Sequence, residues 1–444
     1  MKLTRGEFLL GLENIYIFIA LLLVTQAFAP LILMGEPSDE ALSDSNPATL
    51  FSALIIYVIA LGLMLRDPRN AVGVIANNPL LVVVFMLPIL SMFWSISPGV
   101  SIRRAIALLM TGLFCVYIAT RLSPDDFLRR LLLVLFVGGV ASLVYAVVDP
   151  GQAIEHAAIN NGSWKGVYGH KASLGRIAAV AVMVSIYVRP RTGWERLMRW
   201  ATVAIFLFLS IESQSRASWL MMIASLGCVA MLSAVRTPRL STGLKIGIGV
   251  AVAAIAALVL IVSFNQLLLL FGRDETFSGR VTLWTGAISV AMRTHPLLGA
   301  GYRAFWTDTG AAQVRSYIAT WGSLPAQGHN GYLDVWLELG IVGLAVFAVF
   351  LLVTGWRLAR RVLREPKDSA WAAMGVFFFI FLLNNLSVTV AFKHTDIAWI
   401  FAVLAMLYAH GSATARDPVR PLARIARKPR FATPYRPTVL GKTG

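Results

Sequence analysis

The side chains of this sequence best suited to chemistry are one histidine and a few cations set between long apolar runs. They are His329 in GHNGYLDVWLELG, Arg216 in ESQSRASW, Arg280 in TFSGRVTLW, Arg303 in GAGYRAFW, and His170, Lys171 and Arg176 in GHKASLGR. His329 precedes Asn330, a residue type that caps helices by accepting from their first backbone N–H groups. A helix start directs N–H groups and positive dipole outward, which favours an anion and disfavours an imidazolium. A neutral imidazole is then available as a base. The alternative is an interfacial histidine satisfied by backbone. Asp334 and Glu338 are expected on turns facing away from it.

Arg216 follows a short apolar run. Arg199 to Glu212 covers only about 20 Å of helix, less than a bilayer core of about 30 Å. The polar turn from Glu212 to Arg216 is therefore expected to dip below the membrane surface, where an ionisable group needs a watery cavity or a charged partner. A cationic clamp for a ligand and a local Glu212–Arg216 pair at i, i+4 spacing both meet that need. Lys171 and Arg176 open a helix, as ligand groups or as snorkelling anchors. Arg280 and Arg303 flank an amphipathic helix expected over 279–292, where solvated side chains are the alternative. His156, His295, His394 and His410 have no such context.

The sequence has no DxD acid pair, Walker loop or histidine pair at metal-binding helical spacing, which argues against a cation-dependent sugar-nucleotide enzyme. Cys115 and Cys228 lie in apolar runs and read as small buried side chains.

The elements that must hold these groups are membrane helices. Hydrophobic residues make up 57% of the chain and charged residues 14%, too little charge for a water-facing surface of a chain this long. A bilayer core takes roughly 20 helical residues to cross. Runs near that length fall at 15–34, 50–65, 80–94, 105–120, 131–148, 173–188, 200–211, 217–234, 244–264, 331–356, 371–390 and 396–410. The expectation is an all-α, polytopic integral membrane protein of about twelve transmembrane helices. Its divisions are 1–264 with the first nine spans, a loop over 265–328, 329–410 with the last three, and a tail over 411–444. The first run has no cleavage signal and reads as a retained helix.

Lysine and arginine concentrate on one side of this arrangement, in RDPRN, RPRTGWERLMR, RLARRVLREPK and the tail. That side is expected to be cytoplasmic, with both termini on it. The net charge of +17 is dispersed between apolar runs rather than gathered with aromatics in one domain, which argues against nucleic acid. The arginine- and proline-rich tail reads as a disordered anchor to anionic lipid, with a docking site for a cytoplasmic partner as the alternative. The 265–328 segment is too aromatic for disorder and is expected to pack as a lid of one to three helices.

The SRAS turn at Arg216, then TFSGRVTLW and HPLLGAGYRAFW in one long outward loop, closed by HNGYLDVWLELGIVGL, resembles the O-antigen ligase and polysaccharide polymerase family. GVYGHKASLGR resembles its exopolysaccharide-production branch, although Ala172 stands where that branch usually has asparagine. The resemblance implies a GT-C-like membrane glycosyltransferase of the bacterial inner membrane, with the large loop and the active site periplasmic. It implies metal-independent transfer of glycan from an undecaprenyl-diphosphate-linked oligosaccharide to a glycan acceptor, with no cofactor. By position, His329 becomes the candidate base, Arg216 and Arg280 the leading diphosphate ligands, and Lys171, Arg176 and Arg303 weaker ones. Membrane lipids and polysaccharide export or chain-length machinery are the further partners implied. Polymerisation of repeat units is the leading reaction and ligation to a lipid A core its nearest rival. A lipid-sugar transporter or flippase, which places charges near the midplane, and a scaffold that needs no His329 are the readings of other classes.

Overall fold

The computed structural model describes residues 5–28, 47–156, 161–237, 280–315, 326–365, 368–394 and 396–410, with isolated positions between 240 and 250. Most of the span expected over 244–264, much of the 265–328 loop, the acidic loop over 35–46 and the tail lie outside the described residues. Among the described residues there is no β-strand, only one isolated bridge between Ile154 and Trp164.

A polar residue followed by proline opens several helices, because proline at the first helical position gives up an N–H that has no partner there. Asp67–Pro68, Asn78–Pro79, Ser97–Pro98 and Ser123–Pro124 all do this. The helices are α1 (Arg5–Val24), α2 (Pro47–Met64), α3 (Pro68–Ala76), α4 (Pro79–Leu90), α5 (Pro98–Arg121), α6 (Pro124–Val148), α7 (Lys171–Tyr187), α8 (Gly193–Glu212) and α9 (Arg216–Arg236). After these come α10 (Arg280–Thr294), α11 (Asp308–Val314), α12 (Gly331–Arg364), α13 (Ser369–Asn384) and α14 (Ile397–His410).

Among the described residues five helices, α1, α5, α6, α9 and α12, are long and apolar enough to cross a membrane, and α3 with α4, bent by 87°, makes a sixth if the pair is one span. Shorter apolar helices add Leu54–Met64, α13 and α14. The described residues are thus those of an all-helical membrane protein. Helices α7, α13 and α14 are buried on nearly all sides, as expected for helices apolar all round at the centre of a bundle. An aromatic core joins α12, α13 and α14: Phe350 lies against Trp399 with centroids 5.6 Å apart, and Phe377 stacks on Phe401 at 4.4 Å.

The bundle has two distinct ends. At one, Glu13 of α1 meets Arg121 at 2.6 Å, Tyr408 donates to the Leu122 carbonyl, Arg236 to that of Asp368, and Arg361 to that of Ala409. This arginine-rich end gathers the start of α1 and the finish of α14. At the other, the loop end, stand the starts of α7, α9 and α12 and the link between α13 and α14.

Three expectations are corrected. The run over 331–356 is not one helix: Gly340 sits at φ 66° and ψ −167°, breaking α12 into an upper segment and a long shaft that continues to Arg364. The RDPRN connection carries the helix α3 in place of a loop. Finally, α8 begins at Gly193 and has 20 residues, about 30 Å at the usual rise, so its length alone does not pull Glu212 below the surface.

Candidate functional site

The site is organised around Gly328–His329–Asn330. Asn330 caps α12 as the sequence predicts, its side chain accepting from Tyr332 N at 3.0 Å and Leu333 N at 3.2 Å. His329, half-buried, has φ 51°, a left-handed conformation that costs a residue with a side chain about 1–2 kcal/mol. Something must hold it there. Gly328 donates its N–H to both oxygens of Asp334, each at 3.0 Å, and its carbonyl accepts from the Trp284 indole at 2.7 Å. Asp334, 1% exposed, also accepts from the Trp306 indole at 2.8 Å and from the Thr389 hydroxyl. Four donor contacts on one buried carboxylate compensate the cost of removing it from water. Asp334 therefore does not face away from the loop that carries His329; it anchors it.

Helix α10 begins at Arg280, one residue inside the N-terminal limit expected for it, and Trp284 lies about one turn along it. The bond from Trp284 to Gly328 thus brings the first turns of α10 against the His329 loop. The Arg280 side chain lies outside the described residues.

The GAGYR segment is set into the break of α12. Ala300 N donates to Leu337 O and Gly301 N to Glu338 O, both at 2.9 Å, while Ile341 N donates to Pro296 O at 3.2 Å. Gly299 and Gly340 allow the approach, since a Cβ on either would collide with the opposing backbone. Tyr302, fully buried, donates to the Phe392 carbonyl. Arg303, next to it, has φ 57°. Its backbone N–H donates to the buried Glu338 carboxylate, and its charge acts on both Asp334 and Glu338, the latter also facing Arg104.

The remaining cations enter from neighbouring helices. His170 caps α7, its Nδ1 accepting from Ala172 N at 3.1 Å, and the Lys171 N–H donates to Glu155 at 2.9 Å. Gly175 admits Ser215 and Ser218, whose hydroxyls bond at 2.8 Å, so the start of α9 with Arg216 lies against the first turns of α7. Arg216 is exposed. The Glu212–Arg216 pair does not form: the helix breaks between them at Ser213–Ser215, with Gln214 at φ 48°, and i, i+4 proximity requires a continuous helix. Arg176 lines a cavity of about 30 Å³ with Gln26, Ser173, Asn384 and Asp396. From there the next residue, Asn385, accepts at its carbonyl from Gly331 N at 2.8 Å. Lys171, Arg176, Arg216, Arg303, the start of α10 and His329 therefore all stand at the loop end.

Sequence reasoning missed Asp334, Trp284 and Glu338 as parts of this assembly. The signal was the tryptophan of TFSGRVTLW and the two acids in an otherwise apolar helix, each of which needs a buried partner. Among the described residues no group of three or more His, Cys, Asp or Glu side chains could hold a metal ion.

The family model described as O-antigen ligase matches residues 201–348, a stretch holding Arg216, Arg280, Arg303 and His329 but neither Lys171 nor Arg176. These comparisons support an O-antigen ligase/polymerase-like family. The chain is also similar to the exopolysaccharide production protein ExoQ of Rhizobium meliloti (strain 1021). Identity is 25% over 342 residues, covering 74% of this chain and 77% of that protein.

Proposed function

We propose that this protein transfers a glycan from undecaprenyl diphosphate on the periplasmic face of the bacterial inner membrane, polymerising exopolysaccharide or O-antigen repeat units. The observation that carries the reading is the convergence of Lys171, Arg176, Arg216, the Arg280 helix start and the His329 loop on one end of the bundle. A diphosphate leaves readily once its charge is matched, and fixed guanidiniums, with their forked donors, supply that match without a metal. Arg216, exposed at a helix start, and Arg280 hold the diphosphate, and Lys171 and Arg176 extend the set. Arg303, whose charge is met by Asp334 and Glu338, lies at its edge. His329 takes the proton of the acceptor hydroxyl as it attacks the anomeric carbon, and the bond to the lipid diphosphate breaks. The opposite end, with the start of α1, the finish of α14 and the arginines gathered around them, is cytoplasmic by the positive-inside rule.

The test uses purified protein in vesicles with a lipid-diphosphate-linked oligosaccharide, without ATP and with a chelator present. Longer glycans are the expected product. Glycan that only crosses the bilayer would establish a transporter and sink the reading. The description of the matching family favours ligation as the second reading. A deletion strain that keeps single-unit glycan but loses polymer points to polymerisation; one that keeps free polymer unattached to its acceptor points to ligation.

A further inference from the structure

We propose that Trp284 and Asp334 are positioning residues that fix His329 by gripping Gly328 from both sides, so that the imidazole is aimed only when helix α10 is docked. The inference rests on the reading of His329 as the base.

Both amide groups of Gly328 are committed: its N–H to the two Asp334 oxygens at 3.0 Å, its carbonyl to the Trp284 indole at 2.7 Å. On the other side of His329, Asn330 is fixed by its cap and Gly331 by its bond to Asn385. His329 is therefore held between two immobilised neighbours at φ 51°, a conformation a free chain leaves. The Cα–Cβ direction follows from the backbone dihedrals, so relaxing to negative φ swings the imidazole elsewhere. Space is tight as well as bonded: a Cβ on Gly328 would lie 2.5 Å from Asp334 Oδ1 and 3.3 Å from the Trp306 ring. Trp284 differs from Asp334 in one respect. It comes from the helix opened by Arg280, so the same docking that seats Arg280 beside the loop completes the grip on His329.

Trp284→Phe removes the indole donor and keeps an aromatic ring; Asp334→Asn keeps the shape and removes one accepting oxygen; Thr389→Val removes a donor to Asp334 one step further away. Two readouts apply to the full-length protein, using variants that elute as the wild type does in detergent. In the first, His329→Cys carries an introduced thiol, while Cys115 and Cys228 are buried. Its modification by a charged thiosulfonate is expected to quicken at least about fivefold with Trp284→Phe or Asp334→Asn, and less with Thr389→Val. Equal rates in all four proteins would overturn the proposal. In the second, Trp284→Phe lowers kcat at least tenfold with the donor KM within about twofold, yet adds no loss in a His329→Ala background. Losses that multiply would show that Trp284 acts elsewhere. The labelling needs no turnover, so a wild type without transferase activity would refute the proposed function while leaving the grip on His329 separately measurable. If Trp284→Phe fails to fold, Asp334→Asn and Thr389→Val carry both readouts.

Discussion

The two ends of the bundle are built on opposite principles. The arginine-rich end is fastened by ion pairs between residues none of which has a left-handed backbone: Arg121–Glu13 at 2.6 Å, Arg191–Asp126 at 3.3 Å and Arg361–Glu365 at 2.6 Å. At the loop end stand all the described non-glycine residues with left-handed φ, namely Gln26, Phe28, Gln214, Arg303, His329 and Phe392. Uncommon backbone conformations persist only where surrounding contacts enforce them, and they cluster at functional sites. Here they sit beside Arg176, Arg216, Asp334 and the link before α14. The lesson is that the loop end gives up conformational ease to aim side chains, and the other end supplies the anchorage.

The contrast can be broken most sharply at the loop end. His329→Ala is expected to lower glycan transfer by about 10²–10⁴-fold, the usual worth of a general base, with unchanged membrane insertion; normal polymer output would leave only a scaffold role. Arg216→Ala should cost at least about 10²-fold, and Arg216→Lys should recover only part of it, because an ammonium lacks the forked donors. Turnover on lipid-linked oligosaccharide, set against expression level, measures both. At the arginine-rich end, Arg121→Met strands the nearly buried Glu13 and should cost about 1–3 kcal/mol of stability, read by thermal unfolding in detergent, while kcat stays within about twofold. A kcat that falls with stability would erase the division between the ends.

Smaller effects sharpen it. Gln214→Gly relieves left-handed strain and should raise stability by about 1 kcal/mol; a lower melting temperature would mean that Gln214 makes up its strain through contacts. The Arg361 hydrogen bond holds the Glu365 carboxyl below its ordinary value of 4.5. A depressed folded pKa means that the contribution is present above the ordinary value and lost as pH falls through the lowered one. The pair is partly exposed, so the effect is small. The melting difference between wild type and Glu365→Gln should accordingly shrink on acidification below that range; a difference that grew would reverse the assignment.

Much of this organisation was legible in the sequence, and where it was not the reason is physical. Apolar runs and arginine placement gave the helical bundle and its two unlike ends, because hydropathy and charge act over whole segments. Asn330 as a cap and the helix expected over 279–292, found at 280–294, follow from local rules of the same kind. The break at Gly340 was hidden because its cause is tertiary: the backbone of 296–301 supplies the hydrogen bonds that helix continuity would have made. Asp334 was misread since a helical wheel says which face it occupies and nothing about a loop folded back over that face. The Glu212–Arg216 pair was a correct inference from spacing applied to a helix that stops at Glu212.

The interruption at Gly340 separates two kinds of sequence change. In an unbroken helix, inserting one residue turns everything beyond it by about 100° relative to what precedes it, so a change near His329 would also rotate the lipid-facing stripe of the shaft. Here the nine residues from Gly331 to Leu339 form a crown whose register ends at the break. Length variation in the crown can reshape the surroundings of His329 without re-facing the shaft, so one end of α12 is free to vary while the other keeps its packing.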